Sequence, residues 1–245
     1  MPGAPSLLFL AYLLGVLPWA AIRSARRVEQ ALGRSGRSPA SDRLAIWGST
    51  LVAQGLLLVL AWLAGRGFGF RFFAVALTPA GLVAAAAALG ACFVLRAVAR
   101  ALRTEEERKA LVVYRLAPRS AVEWLAWGAV ALVASVTEEI AYRGVGVAIL
   151  SHWSGSLAAA ILVCATAFAV AHALQGWKSG VVIFMLALIF HALVLFTGTL
   201  VLAMLVHLLY DVIAAVAIAR EAERDDRAAP PPGQAPVSPE DGMTC

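Results

Sequence analysis

Seven stretches of this 245-residue chain are long enough and apolar enough to cross a lipid bilayer, and they restrict its fold more than any other feature. They run over about 6–22, 44–64, 72–95, 121–150, 157–174, 180–196 and 200–218. Inside hydrocarbon no water can satisfy a backbone amide, so a spanning segment must be a helix or part of a closed barrel. A helix rises 1.5 Å per residue and needs roughly 20 apolar residues to cross. The runs match that length, so the chain reads as all-α: a polytopic transmembrane helix bundle of about seven spans, with eight as the alternative count. The fourth run is long enough to be tilted, broken or extended beyond the bilayer. Composition agrees, with 61% hydrophobic and 14% charged residues where globular domains have about 45–50% and about 25%.

The charges are few and placed unevenly. Seventeen Lys and Arg fall in the segments 23–43 and 96–119, at Lys178 and in the tail after Ile218, whereas the alternate loops hold only Arg66 and Arg71. Cytoplasmic loops carry the excess of positive charge. The expected topology is therefore an N-terminus outside and a cytoplasmic C-terminus, as suits a multi-pass protein of the plasma or inner membrane. The net charge of +5 is explained by topology and lipid headgroups. No aromatic-basic platform accompanies it, which argues against nucleic acid as a partner.

Three regions follow. Residues 1–120 hold the first helices and their basic loops, 121–219 a more polar membrane core, and 220–245 a tail whose Pro-Pro-Pro run and mixed charge predict disorder. The first run has its positive charges behind it, which reads as an anchor and not as a cleaved signal. Thr104 followed by Glu107 fits a capping box in the segment 96–119. Cys92 and Cys164 lie in apolar runs and Cys245 ends the chain without a C-a-a-X order, so no disulfide framework, zinc spacing or prenylation signal is present.

Ionisable groups inside a membrane are expensive and usually functional. The core carries three clusters: Glu138, Glu139 and Arg143; His172 four residues after Phe168; and His207 with Asp211. Glu139 and Arg143 are four apart, share a helical face and can pair. Glu138 is about 100° round the helix and is left as a candidate proton acceptor. His207 and Asp211 also share a face, so the Asp can fix the imidazole tautomer or join it on a shared ligand. Two imidazoles with carboxylates can hold a divalent metal, or a water and an oxyanion without one. A proton- or ion-coupled transporter uses the same residue types, and a scaffold pinned by buried ion pairs is the blander alternative.

The order Glu-Glu-x-x-x-Arg, Phe-x-x-x-His, His-x-x-x-Asp along these spans resembles the CPBP family, the CAAX-protease and bacteriocin-processing intramembrane endopeptidases also called the ABI family. The resemblance covers about 121–218, and Thr197-Gly198-Thr199-Leu200 is similar to the Thr-Gly-Ser-Leu turn common there. It implies hydrolysis of a peptide bond in a membrane-associated protein or peptide. Glu138 then matches the glutamate that activates water, Glu139 and Arg143 the supporting pair, His172 the second-motif histidine, and His207 with Asp211 the third motif. That last position is often Asn; an ionised Asp cannot donate to an oxyanion, so Asp211 fits better as an orienter of His207 or an aid to a cation. The resemblance leaves cofactor use open between a divalent metal such as Zn, with His172, His207 and Glu138 as candidate ligands, and a metal-free glutamate mechanism.

Other residues read as structural. His191 falls outside the motifs, His152 belongs to an outer loop, the tryptophans form no site, and Gln54 is a lone amide suited to a helix–helix hydrogen bond. Rival protease signatures, His-Glu-x-x-His and Gly-x-Ser-x-Gly, are absent. One geometric tension remains: counting along the helices puts Glu138 and His207 in the outer half and His172 about a dozen Å deeper.

Overall fold

The computed structural model describes residues 3–32, 40–70 and 72–228. Among them all regular structure is helical. The chain runs through α1 (Ala4–Ala11), a π-helical turn (Tyr12–Val16), α2 (Leu17–Leu32), α3 (Ala40–Gly65), α4 (Pro79–Ala101), α5 (Glu105–Ala110), α6 (Val112–Arg115) and α7 (Ala121–Glu138). A π-helical segment (Glu139–Gly146) then leads into α8 (Val147–Ser154), followed by α9 (Leu157–Ala171), α10 (Trp177–Thr197) and α11 (Leu200–Ala228).

Six of the expected spans are helices long and apolar enough to cross a bilayer: Ala4–Ser24, Ala40–Phe68, Pro79–Ala101, Ala121–Ser154, Trp177–Thr197 and Leu200–Arg227. The fifth is shorter than expected. α9 has 15 residues, about 22 Å against a hydrocarbon core of about 30 Å. It stops because the His172 ring competes with its backbone. Nδ1 of His172 lies 2.8 Å from the Phe168 carbonyl, the acceptor that the backbone N–H would use in an α-turn. That N–H bonds Ala169 instead, at 3.2 Å, and Gly176 at φ +80° ends the turn. The fourth span errs the other way: 34 residues make about 50 Å, accommodated by the π-helical segment midway.

Several boundaries differ from the sequence reading. The third span begins at Pro79, capped by Thr78, whose Oγ1 accepts from the Gly81 N–H at 3.0 Å; residues 72–78 are not helical, and Ala74 instead accepts a 2.6 Å bond from Thr199. The polar segment 23–43 is helical as far as Leu32 and again from Ala40. Residues 220–228 continue α11, while the rest of the expected disordered tail, with Cys245, lies outside the described residues.

Outward-facing side chains are apolar. Val52, Val83 and Leu125 are 73%, 70% and 77% exposed, a surface that only lipid satisfies. Inside, one cluster gathers Phe9, Leu13, Leu57, Ile140, Ile149 and Phe168. A second joins α4, α10 and α11 through Ala85, Ala88, Cys92, Phe190 and Val206. Alanines at these contacts let backbones approach closely, as packing without a hydrophobic driving force requires. Arg43, counted among the loop cations, is buried: its Nη2 donates to Glu123 Oε1 at 2.6 Å, tying the start of α3 to the start of α7.

The basic loops meet at one end of the bundle. Glu221 on α11 pairs with Arg100 and Arg108, Lys109 lies 3.5 Å from Asp225, and Lys178 donates to Glu107 at 2.6 Å. The capping box is present, with Thr104 and Glu107 bonded reciprocally. The Lys178 ammonium, with the Thr104 N–H, holds the Glu107 carboxyl below its usual range.

Candidate active site

The first motif sits where the helix changes pitch. Glu138 is the last residue of α7 and Glu139 the first of the π-helical segment, and both are buried. π-Helical insertions cost hydrogen-bond geometry and occur mostly at functional sites. Gly146 permits this one: a Cβ there would stand 2.7 Å from the Ala141 carbonyl oxygen. Arg143 and Glu139 form the expected pair, Nη1 to Oε1 at 3.4 Å with both side chains wholly enclosed. The guanidinium makes no hydrogen bond among the described residues. It lies instead 4.4 Å over the Phe168 ring and 5.4 Å from that of Phe190, both cation–π distances.

Glu139 also reaches across to α11. Its Oε1 accepts from His207 Nδ1 at 2.9 Å. Asp211, read from spacing as the orienter of His207, lies 3.7 Å from Nε2, too far for a hydrogen bond. Glu139 therefore orients the His207 ring, and Nε2 is turned towards two carboxylates, Asp211 and Glu138, the latter at 3.8 Å.

A cavity of about 440 Å³ unites the motifs; Glu138, Phe168, His172, His207 and Asp211 all line it. At the early end of α9, His172 stands on the cavity wall. A backbone carbonyl only accepts, so His172 carries a proton on Nδ1 towards Phe168. The cavity continues past Arg96, Arg100 and Arg103 to the segment 111–118, the end where the charged loops gather. Trp47 and Trp127 line it as well, so two tryptophans read as structural belong to the site.

Gln54 makes the helix–helix hydrogen bond expected of it, but its partner was not foreseen. Its Nε2 donates to Glu138 Oε1 at 2.6 Å. It lies on α3, outside all three motifs, and a single amide among apolar residues carries no spacing signal that names its partner. His191 is buried in α10 with Nε2 unpartnered among the described residues, and it does not line the cavity.

Glu138 Oε1 is engaged by Gln54 and His207 Nδ1 by Glu139. Among the described residues no three His, Cys, Asp or Glu side chains gather as a metal-ligand group.

Carboxylates and imidazoles thus line a cavity inside a bundle with six helices long and apolar enough to cross a bilayer. Residues 120–213 match the family model described as type II CAAX prenyl endopeptidase Rce1-like. The match takes in all three motifs and ends before the last half of α11; Gln54 lies outside it. Comparison with curated proteins and with solved structures finds no match.

Proposed function

We propose that this protein cleaves a peptide bond in a membrane-associated protein or peptide, using a water activated by Glu138. The observation that carries this reading is the gap between Glu138 Oε2 and His207 Nε2. At 3.8 Å it is too long for a direct hydrogen bond, yet one water beside the pair can touch both. In the attack Glu138 takes a proton from that water, and the oxygen bonds the scissile carbonyl carbon. The displaced π electrons become an oxyanion. His207 in its imidazolium form, anchored by Glu139, donates Nε2–H to that oxyanion, the preorganised kind of stabilisation that enzymes use most. Glu138 then passes its proton to the departing amine nitrogen as the C–N bond breaks. Arg143 takes no part in proton transfer; it fixes Glu139, and through Glu139 the ring of His207.

The substrate reaches the cavity from the end lined by Arg96, Arg100 and Arg103. By the distribution of positive charge this is the cytoplasmic side, with the N-terminus of the chain outside. The test is Glu138→Gln, close in shape and unable to accept the proton. In cells lacking the native protein, wild-type and variant are expressed to equal levels and the termini of membrane-associated proteins are compared by mass spectrometry. A set of cleaved termini is expected with the wild type and not with the variant; identical termini in both would overturn the assignment.

A further inference from the structure

The reading above leaves one polar contact of the site without a role. Gln54 donates through Nε2 to Glu138 Oε1 at 2.6 Å, while its own Oε1 is buried and accepts no hydrogen bond from any described residue. A carboxylate oxygen only accepts, so the amide must present its NH₂ to Glu138 and its carbonyl oxygen elsewhere. Both residues line the same cavity. Trp47, Thr50 and Gln54 stand at helical spacing on α3 and all face it, so this helix forms a wall of the site and does more than surround it.

A structural role explains these facts poorly. α3 is already tied to α7 by Arg43 and Glu123 at 2.6 Å, and a helix–helix bond elsewhere would not occupy an oxygen of the candidate base. Nor would it leave a bare acceptor beside that base. Buried acceptors are normally satisfied, and an exception asks for a reason.

We propose that Gln54 is a positioning residue for the hydrolytic reaction. Its amide nitrogen locks Glu138 Oε1, which fixes the rotation of the carboxylate and turns Oε2 towards His207. Its carbonyl oxygen accepts the second O–H of the water whose first proton passes to Oε2, so the oxygen lone pair is aimed at the substrate carbonyl. Gln54 exchanges no proton and forms no bond. The inference rests on Glu138 being the base, and it assigns a role to a residue outside the segment 120–213 that matches the family.

The test uses the full-length protein in lipid nanodiscs. The probe is a quenched-fluorescence farnesylated peptide ending in Cys-aliphatic-aliphatic-Ser. Gln54→Met keeps the length and removes the amide; Gln54→Glu keeps the shape and replaces the donor by an oxygen. Both are expected to lower kcat by about 10–100-fold, as loss of a supporting partner does, with KM changed by less than about twofold. Thermal midpoints should stay within about 4 °C of the wild type. If one variant loses its fold, the other is read in its place. If both fail to fold, or if KM rises while kcat holds, Gln54 has a structural or substrate-packing role and the proposal is overturned. Wild-type kcat in both variants beside an inactive Glu138→Gln protein overturns the role of Gln54 and leaves Glu138 standing. An active Glu138→Gln protein removes the assignment of Glu138 as the base, and Gln54 with it.

Discussion

Replacing Glu139 by alanine should damage the fold as much as the chemistry. Glu139 and Arg143 are both wholly enclosed, and Glu139 is the one carboxylate within 4 Å of the guanidinium among the described residues. Removing one partner of a buried pair costs about 3–5 kcal/mol, because the remaining charge is stranded. The rings of Phe168 and Phe190 stay beside Arg143 at 4.4 and 5.4 Å, and desolvated cation–π contacts are worth about 2 kcal/mol. They stabilise both forms alike, so the expected loss stays at about 3–5 kcal/mol. His207 Nδ1 loses its acceptor too, adding about 1–3 kcal/mol. Unfolding in detergent–SDS mixtures, followed by tryptophan fluorescence, measures the sum. Glu139→Leu combined with Arg143→Met should recover most of the stability, since apolar replacement of a buried pair is often neutral or better, and none of the activity. A Glu139→Ala protein as stable as the wild type would refute the reasoning, and so would a double variant no better than the single one.

Gly146→Ala should lose about 1–3 kcal/mol in the same assay, because its Cβ would meet the Ala141 carbonyl at 2.7 Å; a change under about 0.5 kcal/mol would mean that the π-helical segment does not need glycine there. Lys178 and Thr104 hold the Glu107 carboxyl below its ordinary range, so this link contributes fully above the ordinary carboxylate pKa and is lost as pH falls through the depressed value. Limited proteolysis of the segment 102–120 should accelerate over that acid window in the wild type and show a weaker pH dependence in Lys178→Gln; identical profiles would count against the link. Reporter fusions after Arg37, Arg66 and Arg108 should read inside, outside and inside, and an inside signal at Arg66 would reverse the proposed topology.

The sequence by itself determined the class of the fold and which ionisable residues meet inside it. Long apolar runs can only become helices in hydrocarbon, so the spans were legible from local composition. Charges in hydrocarbon are costly enough that Glu138, Glu139, Arg143, His172, His207 and Asp211 stood out against their surroundings, and five of them reached one buried cluster or its cavity wall. Arg143 lies behind, in contact with Glu139. Periodicity also pairs residues four apart, which gave Glu139 with Arg143 correctly. The same rule paired His207 with Asp211 and was overridden, because Glu139 arrives from another helix at 2.9 Å. Partners that come together only when helices dock leave no trace in spacing. That is why the tertiary structure alone decided that Glu139 orients the ring of His207 and that Gln54 holds Glu138. It also decided where helices end: His172 shortens α9 by taking a carbonyl with its ring, and Gly146 admits the π-helical turn. Both are contests between a side chain and the backbone ladder, settled by contacts that composition does not record.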